Sequence, residues 1–280
     1  MKSDDLGRLA IAGAAGGLAA LGIYATLFEP RRLEIRRRTI HVRRLPPDLE
    51  GLRVALLSDF HAGRLTPWSV LRRAAEAAVR EQPHLIALTG DFVDRSPDDL
   101  DLAMDAIRDL WAPLGVYAVP GNHDHAAGVV PRWREAVQRH PTLIDLTNRY
   151  VLVHRGEATL CIAGIDDLEE GAPHLALPAP ADRDFTILLA HNPDQAERSR
   201  REDDDVDLVL SGHTHGGQVR LPPLGPLHRK SPIYDEGLRR RPWTQVYTSR
   251  GLGTTLLPIR FAARPEVALL QLTAEPREVW

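Results

Sequence analysis

The sequence predicts an α/β layered domain carried behind one membrane-spanning helix, on three observations. Residues Leu9 to Phe28 carry no charge and are mostly Ala, Gly, Leu and Ile, about the 20 residues a helix needs to cross a bilayer. Beyond them, short apolar runs of strand length alternate with helical stretches opened by capping residues, the signature of layered α/β proteins. Run after run then ends in Asp, His or Asn, and in such sheets ligands collect beyond the C-terminal strand ends. The 280 residues suffice for a full core, and the net charge of −3 gives no general attraction to nucleic acid. Cys161 is the single cysteine. An intramolecular disulfide framework is therefore excluded, and its apolar setting, Leu160–Ala163, predicts a buried structural thiol.

Taken in order, the apolar N-terminal stretch runs unbroken to Phe28, longer than the core of a cleaved signal peptide, and it shows no polar face for a soluble domain to bury. Gly13 and Gly17 have a spacing at which two such helices can pack, though small residues are common in membrane helices anyway. Lys2 and Arg8 precede the span, offset by Asp4 and Asp5, whereas Arg31, Arg32, Arg36, Arg37, Arg38, Arg43 and Arg44 follow it. That asymmetry puts the following domain on the cytoplasmic side of the inner membrane, with arginines available to anionic headgroups. The expected organisation is an anchor over 1–30, a basic linker and edge strand over 31–50, and a globular domain over 51–280.

Leu52–Leu57 is a buried strand running into Ser58-Asp59-Phe60-His61. Thr66-Pro67 supplies an N-cap and first-turn pair for a helix to about Arg80. The strand Leu85–Thr89 ends in Gly90-Asp91-Phe92-Val93-Asp94, and Ser96 caps an acidic first turn of a helix to about Leu110. Val116–Val119 ends in Pro120-Gly121-Asn122-His123-Asp124. Strands follow at Tyr150–His154 and Thr159–Gly164 around Gly156, at Phe185–Ala190 before His191, at Val206–Leu210 before Ser211-Gly212-His213-Thr214-His215-Gly216-Gly217-Gln218, and at Gln245–Ser249 and Val267–Leu272. Pro222–Pro242 reads as a structured loop near the site.

Asp59 or Asp91 alone could be a cap, and Asn122 alone a turn residue. Five polar clusters at five strand ends are not a packing pattern. Carboxylate, imidazole and amide without thiolate suit Mn, Fe or Zn. Two such ions about 3.5–4 Å apart clamp the attacking and leaving oxygens of a phosphate ester. His213 and His215, at i and i+2 on an extended segment, face the same side and can converge.

Asp-x-His, Gly-Asp, Gly-Asn-His-Asp, His and Gly-His-Thr-His, in this order from Asp59 to His215, resemble the calcineurin-like metallophosphoesterase superfamily. Within it, His191-Asn192-Pro193-Asp194, Ser249-Arg250-Gly251-Leu252-Gly253 and Pro258-Ile259-Arg260-Phe261 resemble the membrane-anchored bacterial branch of YkuE- and LpxG-like proteins. The resemblance implies a four-layer αββα sandwich and two divalent metal ions. One would be held by Asp59, His61, Asp91 and His215, the other by Asp91, Asn122, His191 and His213. It further implies hydroxide attack on phosphorus, His123 acting on the leaving oxygen, and Asp124 orienting His123. The substrate it suggests is a phosphoester or pyrophosphate, with UDP-2,3-diacylglucosamine of lipid A synthesis as the specific expectation. Nucleotide or headgroup phosphodiesters and monoesters are the alternative, and a non-catalytic membrane-tethered metal-binding scaffold is the reading from another class. Arg64, His125, His228 and Arg229 are candidate substrate contacts, each also explicable as a surface residue. Asp166, Asp167, Glu169 and Glu170 read as an exposed acidic turn.

Overall fold

The structure is a computed structural model and describes residues 3–201 and 205–276; Lys2, used above for orientation, lies outside them. Its first element is the apolar helix α1, Ser3–Ile23, continued by a wider turn over Tyr24–Phe28 and a 3-10 turn over Glu29–Arg31. From residue 12 to Ile23 the helix is exposed, whereas Ala25, Glu29 and Pro30 are buried against the globular part. The apolar stretch is therefore bipartite. Its last turns belong to the domain. The uncharged part of α1, residues 9–23, measures about 22 Å, so the wider turn up to Phe28 is needed to approach the roughly 30 Å of a bilayer's hydrocarbon core.

Two six-stranded sheets face each other. The first, in order β1-β14-β2-β3-β4-β5, contains β1 (Glu34–Val42), β2 (Arg53–Leu57), β3 (Leu85–Thr89), β4 (Val116–Val119), β5 (Leu143–Asp145) and β14 (Glu266–Ala274). The second, in order β12-β13-β9-β8-β7-β6, contains β6 (Arg149–Arg155), β7 (Ala158–Gly164), β8 (Phe185–Leu189), β9 (Leu208–Ser211), β12 (Gly237–Arg240) and β13 (Gln245–Thr248). Alternation decides the layering. Val54 and Leu56 of β2 join Ile162, Ile187 and Leu210 in the core between the sheets. Ala55 and Leu57 point the other way, onto α2 (Trp68–Arg80), α3 (Leu100–Ile107) and α5 (Val130–Arg139). The outer face of the second sheet packs Cys161, Leu188 and Val209 under Tyr234 and Ala196 of the short helix α6 (Gln195–Arg201). The fourth layer is thus one short helix and irregular chain.

β1 runs parallel to β14 over nine residues from Glu34↔Glu266 to Val42↔Ala274, so the basic segment is an edge strand of the sheet. Arg36 pairs with Glu266 and Arg37 with Glu81, which takes both from the set of arginines offered to headgroups. Thr66 does not cap α2. Pro67 holds the N-cap position without a side-chain bond, and the Thr66 hydroxyl accepts the Thr254 N–H at 3.2 Å instead. Ser96 does cap as expected, accepting from Asp98 N. The helices α4 (Asn122–Ala126) and α5 were not among the elements expected from the sequence.

Candidate metal centre

Parallel pairing of β2, β3 and β4 in one sheet and of β8 and β9 in the other carries five chain segments to one end of the sandwich. There the backbone turns so tightly that Asp59, His61, Asp91, His213 and His215 all take positive φ, between 41° and 70°. Such conformations cost about 1–3 kcal/mol each in residues with a side chain and persist where the surroundings over-determine them. Two glycines make room. A Cβ on Gly121 would lie 2.3 Å from Asp91 Oδ1, and one on Gly212 would lie 2.3 Å from Asp59 Oδ2.

Every one of the seven residues expected to hold metal is gathered here. His61 Nε2 lies 3.0 Å from His215 Nε2 and 3.3 Å from Asp91 Oδ2, and His215 Nε2 lies 3.4 Å from Asp59 Oδ1. On the other side His191 Nε2, Asn122 Oδ1 and His213 Nδ1 form a triangle with edges of 3.0, 3.1 and 3.2 Å. Asp91 stands between the groups. Its Oδ1 accepts the His123 N–H at 2.9 Å, while its Oδ2, fully buried and without a hydrogen-bond partner, is 3.3 Å from both His61 Nε2 and His191 Nε2.

A bare buried carboxylate oxygen is costly unless a cation satisfies it. Ligand edges near 3 Å are what donors at about 2.0–2.2 Å from a common ion produce. Asp59, His61 and His215, and likewise Asp59, Asp91 and His191, present ligand atoms within 4.8 Å of one another. The residues present therefore fit a divalent centre of two ions.

The outer ring atoms orient the candidate ligands. His191 Nδ1 donates to the Thr89 carbonyl at 2.8 Å, which turns its Nε2 lone pair inward. His213 reverses this arrangement, with Nδ1 inward and Nε2 3.3 Å from Glu169 Oε1. Asp59 is held by both oxygens to His213 N, at 2.9 and 3.1 Å. Behind His215 Nδ1, at 3.4 Å, sits the fully buried Arg260, whose guanidinium is spent on the carbonyls of Arg250, Gly251, Gly253 and Ala263.

Burial alone would raise the Asp91 carboxyl, but His191, His61 and His123 hold it well below the usual carboxylate range. Burial works against a proton on His191, yet Asp91, Asp59 and Asp167 lift it to about 10. His215 goes the opposite way, driven well below the usual imidazole value by burial and by His61.

His123 stands at the rim, its side chain 19 % exposed, with Nδ1 2.7 Å from the Asp94 carbonyl oxygen. Its ring lies edge-on to His61 with centroids 4.6 Å apart. The orienting group is therefore Asp94, three residues after Asp91, rather than Asp124. Both oxygens of Asp124 are turned away, accepting Gly121 N at 2.9 Å and Val93 N at 3.1 Å. Asp124 is a fully buried clamp on the backbone of the Asp91 and Asn122 turns.

The acidic turn is also not simply exposed. Asp166 and Asp167 are buried, Asp166 Oδ1 is 2.6 Å from His125 Nε2, and Glu169 backs His213. The hydrogen bond to Asp166 raises the His125 pKa, so His125 is held to this turn. Arg64, His228 and Arg229 do not join the cluster. Arg64 lines a groove of about 400 Å³ with Leu27, Arg31 and Leu65, and the other two are exposed on the loop after β11 (Gly225–Pro226). Glu169 and Arg260 were missed as contributors because their partners are dozens of residues away; Asp94 could have been found from its place in the Gly-Asp block.

Comparison with known proteins gives a consistent result. A profile of the calcineurin-like phosphoesterase family matches residues 52–217. The chain is 34 % identical over 268 residues to the uncharacterized metallophosphoesterase YkuE of Bacillus subtilis, covering 92 % of this chain and 93 % of that one. It is 34 % identical over 269 residues to a transmembrane protein with metallophosphoesterase domain from Danio rerio, covering 91 % of this chain but 60 % of that protein. Phosphodiesterase YaeI of Escherichia coli is 32 % identical over 231 residues, 79 % of this chain and 82 % of its own.

Proposed function

The chain belongs to the calcineurin-like phosphoesterase family, and on that premise we propose that it hydrolyses phosphoesters carried by membrane lipids. Metal-dependent phosphoester hydrolysis at a dinuclear divalent centre comes with the family; the ligand assignment, the substrate and the siting are our reading. Asp59, His61, Asp91 and His215 hold one ion, and Asp91, Asn122, His191 and His213 hold the other. The observation that carries this assignment is the partnerless Asp91 Oδ2, equally far from an imidazole of each group. When bound, the two ions supply an activated water and neutralise charge on the phosphoryl oxygens. His123, held at the rim through Nδ1 by the Asp94 carbonyl, is the group proposed to protonate a leaving oxygen.

The exposed helix α1 and the transmembrane designation of the Danio rerio relative support a substrate at the membrane. The arginines after α1 favour a cytoplasmic domain at the inner membrane. UDP-2,3-diacylglucosamine is the specific substrate proposed, with mono- or diesters of nucleotides or phospholipid headgroups as the alternative; the name Phosphodiesterase YaeI of the Escherichia coli relative is in line with a diester. The test is the full chain, loaded with Mn, Fe or Zn, against soluble mono- and diesters, phospholipids and UDP-2,3-diacylglucosamine. Release of UMP from the last is the expected result. Cleavage of the other diesters with that substrate untouched removes the specific reading, and no cleavage with any metal removes the enzymatic one.

A further inference from the structure

The most exposed apolar side chains are not scattered over this molecule. Outside α1 and among the described residues, every large apolar side chain more than half exposed lies in three short segments, Trp111 excepted. These are Leu27 and Phe28 at the base of the anchor (54 % and 57 %), Leu224 and Leu227 in the hairpin of β10 (Arg220–Leu221) and β11 (80 % and 66 %), and Leu256 and Leu257 (72 % and 58 %). A large apolar side chain left in water forgoes the burial that stabilises it elsewhere, so five leucines and a phenylalanine in these segments mark a surface made to be covered.

The three segments are tied into one surface. Gln218 donates to the Thr255 and Leu257 carbonyls and accepts from Thr255 N. Val219 bridges Phe261, and Arg220 N donates to the Phe261 carbonyl. From there Arg260 N donates to Ala25 O at 2.9 Å, and Ala263 N to Glu29 Oε1 at 2.9 Å. The same surface borders the metal centre. The hairpin follows His215 directly, and the leucine loop leaves from Gly253, where an added Cβ would lie 2.8 Å from His61 Cβ. Exposed Arg31 and Arg64 line one groove with Leu27 and Pro258, and exposed Arg229 reaches Gly225 between Leu224 and Leu227, as basic residues do on surfaces that meet anionic lipid.

We propose that Leu27, Phe28, Leu224, Leu227, Leu256 and Leu257 form a rim immersed in the lipid interface, so that the metal centre opens onto the bilayer and takes its phosphoester from there. The occupant of the rim is the bilayer rather than a second copy of the chain, because the surface is continuous with the exposed anchor helix and carries arginines beside Leu27 and beside the hairpin. The inference rests on the proposed membrane siting.

The test uses the full chain in nanodiscs, with an environment-sensitive dye on Leu256→Cys, on Leu18→Cys in the anchor, and on Trp111→Cys as the aqueous reference; Cys161 is buried. Blue-shifted emission and quenching by nitroxide lipids at 18 and 256, but not at 111, is expected. Quenching at 18 with a water-like signal at 256 overturns the rim and leaves the anchor standing, whereas no quenching at either overturns both. A blue shift at 256 without lipid quenching means that protein covers it, and also overturns the proposal. In a second arm, the combined Leu224→Ser, Leu256→Ser and Leu257→Ser variant should hydrolyse a soluble diester within about twofold of the parent, but a vesicle-borne diester about tenfold more slowly. Equal loss on both substrates, or loss on neither, contradicts it.

Discussion

The two halves of the centre are built from the same kind of strand-end turn and yet differ in what surrounds them. The half of Asp59, His61 and His215 is wholly buried, carries its own carboxylate, and has the Arg260 cation behind it. The half of Asn122, His191 and His213 uses neutral side chains. Asn122 is only partly buried, and His213 is backed by Glu169, whose side chain is 50 % exposed. Their proton affinities part accordingly, since His215 is driven well down and His191 lifted to about 10. The difference teaches that in the dry half His215 stands without a proton, ready for a cation, while in the other half His191 must exchange a proton for one. Asp91 is what they share.

The sharpest test of that comparison is Asp91→Ala. It should empty both halves and lower the rate at least about 10³-fold; one equivalent of metal retained per chain, measured by elemental analysis, would show that the carboxylate is not shared. Next come His215→Ala and His213→Ala, each expected to lose one ion and about 10²-fold in rate. In the second variant the remaining ion should sit in the dry half, giving a metal spectrum unlike that of the first. Identical spectra would mean that the halves are not separate.

Acidity separates the halves more gently. In the metal-free protein His191 is raised above the ordinary value of about 6.5, so its contribution to stability is full below that pH and is lost as pH rises through about 10. An ion must displace this proton, so the affinity of the more open half should rise about tenfold per unit between pH 7 and 9. Proton release on titration with Zn or Mn, followed in buffers of different ionisation enthalpy, measures it. The smallest effect belongs to Glu169→Gln, which should weaken one ion by about tenfold and leave the other unchanged.

The sequence was most informative where chemistry is local. The strands ending at Asp59, Asp91, Asn122, His191 and His213 were legible because an apolar run followed by a polar cluster is a short-range pattern, and the order of the clusters pointed to the family. The helix α5 was less legible: its buried face is Val130, Trp133 and Val137 at the helical i, i+3, i+7 spacing, but these are only three apolar positions in an otherwise largely polar stretch. Asp124 shows the converse error. Its adjacency to His123 suggested a pair, but the turn at Gly121 folds its carboxylate back onto the backbone.

By itself, then, the sequence determined the α/β alternation, the apolar helix and the residue types gathered for two metal ions, because these depend on periodicity and side-chain chemistry. Tertiary structure alone decided which nitrogen of each histidine points inward, that Asp94 and not Asp124 holds His123, and that Glu169 and Arg260 stand behind the ligands. It also brought Leu27, Leu224 and Leu256 onto one surface beside the site. Such facts depend on contacts between segments far apart along the chain, and those contacts arise only when the two sheets pack and their strand ends meet.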